Sequence, residues 1–600
     1  MARRQPADRN EGGAAASAAG TGRLERLATA GATLPRTLDE LALLAAIRGD
    51  TREQAAYAAA AALVRGRGIA SESELEPLVA HPRADLDADT LKRLRQIYEA
   101  GGWVLVESSV ADLPADLRWL YESGAVTLEE LARLHENLGI TSSADLAARL
   151  ADGSIHEHSG LRPAAAQKIE AALPTLRASV PRIPLGRAVA IAEPLLRRLR
   201  ALPGVGWAEP LGSLRRGEDT VGDIELLAPV CATSEPIDQL LSLPQARWLH
   251  RSARRLYFLV DRVQVGIRFP EPEAAGAALL YLTGSREHFA ALQNAAAAAG
   301  LRLTARGLHG HDDALRVAAT EEEIYAALDL PLIPPEIRNG EEEVQAARRG
   351  ELPALITRSQ IRGDLHMHSV WSDGRDTIEG MVVACRALGY EYMAITDHSQ
   401  SSAAARNLSA SDVARQADEI AQLRERHPGI AILHGCEADI LPDGRLDFPD
   451  RLLERFDIVL ASLHERAGQG REQLMNRYVG ALRHPLVAMI THPTNRMVPS
   501  RPAYDLDYEE LFALAAETGT LVEIDGAPGH LDLDGARARR AVAAGATLAV
   551  SSDCHRAEML DRQMTLGVLL ARRGWVEPQH VVNTRSLEDV RAQLARKRRH

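Results

Sequence analysis

The chain has 600 residues, 82 acidic and 70 basic side chains, and a net charge of −12. That length exceeds what one hydrophobic core organises, so several domains are expected, and the acidic balance argues against nucleic-acid binding by bulk charge. No run of about 18 uncharged apolar residues occurs, which excludes a transmembrane helix, and four cysteines without CxxC spacing exclude a disulfide framework and point to a reducing cytoplasm.

Residues 1–25 are rich in Gly, Ala and charge, lack the apolar core of a signal peptide, and read as a disordered tail. A helical domain is expected over 26–105 and a second helical region over 106–185. LDELALLAAI, REQAAYAAAAALV, LKRLRQIYEA, LEELARLHENL, ADLAARL and AAAQKIEAAL all carry apolar residues at helical spacing. From 186 to 332 the pattern is mixed. DIELLAPV and RLYFLVDRVQVGIRF read as strands, and EHFAALQNAAAAAG as a helix. Residues 333–360, opening IPPEIRNGEEEVQAARRG, read as a linker rich in Pro, Gly and charge. Over 361–600, short apolar runs alternate with helical stretches about seven times, which predicts parallel strands with crossover helices and chemistry where the strands end.

One motif lies in the mixed region. PLGSLRRGEDTVGDIELLAPV, 210–230, sets glycines and Ser213 before Arg216, then Asp223 and Glu225 in alternation. Free backbone amides with an arginine can hold a triphosphate, and alternating carboxylates on a strand can hold two magnesium ions for nucleotidyl transfer.

The C-terminal region carries a larger constellation. GDLHMHSVWSDG holds His366 and His368 in alternation on a strand, with Asp373 on the loop that follows. The later runs end in His398, Glu437, His464, His492, and Asp553 with His555. Ligand types at the end of nearly every run predict one metal-binding rim, and nine N/O donors suit three divalent ions when carboxylates bridge. His427, His434, His484, His530 and His580 do not end such runs and are left out of the set. Asp439 is an outer-shell candidate, and Cys554 should face away and serve packing.

GDLHMHSVWSDG, AITDHS, GCEADI, SLH, THPTNR and SSDCH together resemble the PHP (polymerase and histidinol phosphatase) phosphoesterase domain. The resemblance implies a distorted (β/α)7 barrel. It implies three divalent ions (Mn, Zn or Fe) held by His366, His368, Asp373, His398, Glu437, His464, His492, Asp553 and His555, with Glu437 bridging two of them. The motif at 210–230, YLTGSREH at 281–288 and GLRLTARGL at 300–308 resemble the α+β nucleotidyltransferase palm and thumb of family X DNA polymerases. That resemblance implies nucleotide contacts from Ser213, Arg216, Gly222 and Gly284, and Mg or Mn at Asp223 and Glu225. The overall order, with a helix-hairpin-helix-like front, resembles bacterial family X polymerases that carry 3′–5′ exonuclease activity.

Departures from the family pattern accompany the likeness. Glu225 stands where the family has aspartate, Gly266 where a third carboxylate is expected, and Asp261 sits at the wrong offset to replace it. ESGAVTLEE and HSGLRPAAA each keep one glycine of a Gly-x-Gly DNA-binding turn. The expected function is therefore a cytoplasmic, monomeric, metal-dependent phosphoesterase acting on gapped, nicked or 3′-ended DNA, as a 3′–5′ exonuclease or on abasic sites and 3′-phosphates. Nucleotide is an expected minor partner, polymerase activity is expected to be weak or lost, and no membrane is involved. The alternatives are a small-molecule phosphomonoesterase with a structural polymerase-like module, and an active gap-filling polymerase.

Overall fold

The computed structural model describes residues 33–598 apart from 81–85, 114, 123–125, 141–144, 147–148, 151–152, 158, 162, 180–181, 232–246, 253, 261–262, 403–406 and 466–467. The expected tail 1–25, Asp261 and parts of both single-glycine turns lie outside the described residues. The chain forms two units, one drawn from residues 1–182, 198–208 and 222–270, the other from 183–197, 209–221 and 271–600.

In the first unit, helices Leu34–Ile47, Thr51–Gly66, Ala88–Ala100 and Leu128–Leu138 form where the apolar residues recur at helical spacing. Their inner faces share one core that includes Leu38, Leu41, Leu44, Tyr57, Val64, Leu94, Ile97, Leu131 and Leu134. Thr127 and Glu130 cap the start of the fourth helix reciprocally, and Gly139 ends it in the left-handed region. The same unit holds strands Ile224–Leu227, Arg247–Ser252, Arg255–Val260 and Val263–Arg268. The stretch RLYFLVDRVQVGIRF supplies two antiparallel strands rather than one. Ile224–Leu227 pairs in parallel with Val263–Arg268, which sets Glu225 beside Gly266.

In the second unit, helices Ala275–Thr283, Arg286–Ala298 and Glu321–Ala327 pack with a three-stranded sheet, Arg302–Thr304, Gly307–His309 and Leu315–Val317. Helix Glu342–Arg349 adds Val344 and Ala347 to that core, so residues 333–360 are more than a linker. Its charged surface positions hid an apolar pair three residues apart.

The rest of the second unit is a parallel barrel of seven strands in chain order. They are β1 (Gly363–Asp364), β2 (Tyr392–Ile395), β3 (Ala431–Asp439), β4 (Ile458–Ser462), β5 (Val487–Ile490), β6 (Leu521–Asp525) and β7 (Leu548–Ser551). A parallel bridge between Met367 and Cys554, just past β1 and β7, nearly closes the ring. Thr377, Ser409, Asp507 and Asp534 cap the helices that return the chain to the next strand, each accepting a backbone N–H. Strand residues Tyr392, Ala394, Leu433, Ile458, Leu460, Met489, Leu521 and Ala549 form a core that Val590 and Leu594 of the last helix complete. No helix among the described residues is long and apolar enough to cross a membrane.

Candidate metal centre

β1 stops at Asp364, so His366 and His368 stand beyond the strand rather than on it. They flank Met367, and the His368 N–H donates to the Cys554 carbonyl at 2.9 Å. The Cys554 side chain is buried, as packing requires, while its backbone seats a candidate ligand. The two imidazole Nε2 atoms face each other at 3.1 Å.

All nine expected residues come together where the strands end. Glu437, near the end of β3 and 1% exposed, is the hub. Its Oε1 lies 2.9 Å from His492 Nε2 and 3.3 Å from His464 Nε2. Its Oε2 lies 2.9 Å from His398 Nδ1, 3.4 Å from His366 Nε2 and 3.5 Å from His368 Nε2. Asp553 Oδ1 stands 3.0 Å from His368 Nε2 and 3.5 Å from His366 Nε2. Asp373 Oδ1 stands 3.2 Å from His555 Nε2 and 3.5 Å from His398 Nε2. Three sets each have ligand atoms within 4.8 Å of one another: His368, Asp373, His398 and His555; His366, His368 and Asp553; His398, Glu437 and His464.

The electrostatics follow from this crowding. Burial by itself would raise the Glu437 carboxyl, yet His398, His464 and His366 hold it well below the usual carboxylate range. Burial likewise opposes ionisation of Asp553, and the surrounding imidazoles, His366 foremost, outweigh it. The donor set fits divalent cations. Glu437 Oε2, His398 Nδ1 and His492 Nδ1 are buried without a hydrogen-bond partner, although the first two are only 2.9 Å apart. Such atoms need a cation or they leave desolvation uncompensated.

A second layer orients the imidazoles. His366 Nδ1 lies 2.7 Å from Glu523 Oε1, and Glu523 Oε2 accepts the His492 N–H at 2.7 Å. His464 Nδ1 is bonded to Asp439, and His555 Nδ1 is 3.0 Å from the Asp553 carbonyl. Each such bond commits Nδ1 and directs Nε2 inward. His492 and Asp553 hold positive φ values of 26° and 48°, sparsely populated backbone of the kind that collects at functional sites. Sequence reading missed Glu523, which sits inside β6 as an ordinary strand carboxylate. Of the five histidines left out of the set, His434 bonds Gln416 Oε1 at 3.0 Å in a structural role, whereas His530 lies at the rim.

The nucleotidyl-transfer motif is less complete. Arg216 and Gly284 are brought together. The Arg216 guanidinium donates to the Thr283 carbonyl, and a Cβ on Gly284 would lie 3.3 Å from Arg216 Nη1. Ser213 is the second residue of a short helical turn, Gly212–Arg215, and Gly222 and Asp223 immediately precede strand Ile224–Leu227, partly exposed. Glu225 departs from its expected role. It is buried, and its Oε2 accepts from Arg268 Nε at 2.8 Å. Arg268 also donates to Asp145 at 2.7 Å and to the Tyr257 hydroxyl at 3.2 Å, while Arg255 lies 2.9 Å from Asp145. A Cβ on Gly266 would meet Glu225 Oε1 at 2.2 Å, so the glutamate fills the space where a third carboxylate was expected. Among the described residues, the Arg268 and Arg255 guanidiniums there face the Glu225 and Asp145 carboxylates.

A seven-stranded parallel barrel whose rim gathers six imidazoles and three carboxylates defines a PHP-type, metal-dependent phosphoesterase. The family model described as PHP domain matches residues 364–528, and that described as DNA polymerase beta thumb matches 278–339. A curated relative, the "DNA polymerase/3'-5' exonuclease PolX" of Bacillus subtilis, is 33% identical over 94% of this chain and 98% of its own length. Proteins named "Probable phosphatase" align over less than a third of this chain. That of Syntrophotalea carbinolica is 31% identical over 27% of this chain and 64% of its own length, and that of Shewanella oneidensis is 30% identical over 32% and 75%. The chain belongs to the family of bacterial family X polymerases that carry a PHP domain. It is an enzyme, and its polymerase-type thumb and its PolX relative imply DNA binding.

Proposed function

We propose that the PHP centre hydrolyses phosphodiester bonds at DNA 3′ ends, as a 3′–5′ exonuclease that also acts on abasic sites and 3′-phosphates, and that the palm does not support template-directed synthesis. The observation that carries the first part is the Glu437 carboxylate faced by five imidazoles, with Asp553 and Asp373 completing the rim. His366, His368, Asp373, His398, Glu437, His464, His492, Asp553 and His555 would hold up to three divalent ions. Such ions supply charge neutralisation for phosphoryl oxygens and activation of water. Glu523 and Asp439 hold His366 and His464 in the tautomer that leaves Nε2 free. The observation behind the second part is Arg268, which takes Glu225 into a buried ion pair. Nucleotide would bind at most weakly, through Ser213 and Arg216. A second reading, a small-molecule phosphomonoesterase, draws support from the relatives named probable phosphatases, each aligned over less than a third of this chain.

The test is incubation of the purified protein and Mn²⁺ with a labelled primer-template bearing a gap or recessed 3′ end, with a phosphomonoester in parallel. Mononucleotide release that disappears in the His366→Ala/His368→Ala variant is expected, with the circular dichroism spectrum retained. Hydrolysis of the monoester alone would favour the second reading, and robust primer extension would overturn the assignment of the palm.

A further inference from the structure

Beside the nine residues lies a fourth group of donors, Asp525, His530 and Asp553, with ligand atoms within 4.8 Å of one another. Asp525 closes β6 and is fully buried. Its Oδ1 accepts the Ala527 N–H at 2.6 Å, while Oδ2 is buried with no hydrogen-bond partner. An unpartnered carboxylate oxygen at zero exposure is expensive unless a cation or a proton satisfies it.

His530 is prepared in the same way as the imidazoles of the main rim. Its Nδ1 lies 3.1 Å from the Arg496 carbonyl. A carbonyl oxygen only accepts, so Nδ1 carries the proton and Nε2 keeps its lone pair. The ring stacks on His492 with centroids 4.9 Å apart and planes 19° apart, which fixes its plane. Arg496 is itself anchored, since its guanidinium donates to Asp219 at 2.6 Å and to the Leu531 carbonyl. Asp553 makes its ion pairs with His366, His368 and His555 rather than with His530. Two donors on one ion at about 2.1 Å stand up to roughly 4 Å apart, and the three ligand atoms here lie within 4.8 Å of one another.

We propose that Asp525, His530 and Asp553 form a further divalent-cation position, with Asp553 shared between it and the His366–His368 group. Two carboxylates and one imidazole suit Mn²⁺, Fe²⁺ or Zn²⁺. The proposal rests on the metal-centre reading above only in that Asp553 is common to both. Sequence reading passed over the group because His530 lies in a loop, APGHLD, and Asp525 reads as the end of a hydrophobic run.

The test is Mn²⁺ binding by the full-length protein, measured by equilibrium dialysis with elemental analysis. An Asp525→Asn/His530→Gln variant is compared with the native chain and with His366→Ala/His368→Ala. The asparagine keeps the acceptor for Ala527. The expected result is loss of one Mn²⁺ equivalent in the first variant with the remaining equivalents retained. Equal metal content in that variant and the native chain would overturn the proposal while leaving the main centre standing. A native chain without bound metal would instead overturn the main centre, and this position with it. Should the double variant fail to fold, His530→Gln alone is used, and its weakest Mn²⁺ equivalent should bind at least tenfold less tightly. An unchanged isotherm there overturns the proposal equally.

Discussion

Gly266→Asp is the substitution that should rebuild a third palm carboxylate, and its outcome can be worked from the structure. The new Cβ would stand 2.2 Å from Glu225 Oε1 and 2.7 Å from both Glu225 Cδ and Tyr257 Cε1. Glu225 is not free to swing aside, because Arg268 holds its other oxygen at 2.8 Å. If the strands yield and the pair survives, the change is overpacking, which costs about 1–3 kcal/mol. If Glu225 is expelled, a buried ion pair is broken, which costs about 3–5 kcal/mol. The introduced charge adds to the penalty, since Glu225 and Asp145 are already balanced by Arg268 and Arg255. We therefore expect a loss of about 2–5 kcal/mol in the unit that contains the sheet, with no gain of primer extension. Urea unfolding followed by circular dichroism reads the stability, and a labelled primer-template reads the activity. Gly266→Ala separates the causes, since it keeps the overlap and removes the charge. A Gly266→Asp protein with the native unfolding midpoint that extends primers would refute the reasoning.

Further outcomes follow from other sites. Glu523→Gln should weaken Mn²⁺ binding by about 10–100-fold while the fold is kept, because His366 Nδ1 loses its carboxylate acceptor; an unchanged calorimetric isotherm would count against this. Burial would raise the Glu321 carboxyl, but Arg338 and Arg215 hold it down at about 2. A depressed folded value gives stability that is present above the unfolded value of 4.5 and lost as pH falls toward 2. The native chain should therefore exceed Glu321→Gln by about 3 kcal/mol at pH 7, and the gap between their urea midpoints should close through that acid window. Finally, the only lysine among the first 167 residues is Lys92, exposed on helix Ala88–Ala100, so borohydride should trap no adduct on an abasic substrate; a Lys92 adduct would contradict this, whereas cleavage that survives borohydride and stops with chelator would support the metal route.

The sequence by itself determined the barrel and its nine-residue rim. Both are local signals, since each run of apolar residues makes a strand and the residue ending it must stand at the rim. His398 after YMAITD and His464 after DIVLASL needed no knowledge of their neighbours. The helical front was legible for the same reason, as Leu38, Leu41 and Leu44 repeat within a single helix. Only tertiary structure decided the pairings between distant segments. Asp145, Glu225 and Arg268 meet across 43 and 123 residues, and no spacing rule relates them. Glu523 reaches His366 across 157 residues, and Asp525, His530 and Asp553 converge from a strand end and two loops. Burial turns such meetings into chemistry. In water these carboxylates would be hydrated and indifferent to one another, but inside the fold each must find a guanidinium, an imidazole proton or a metal ion.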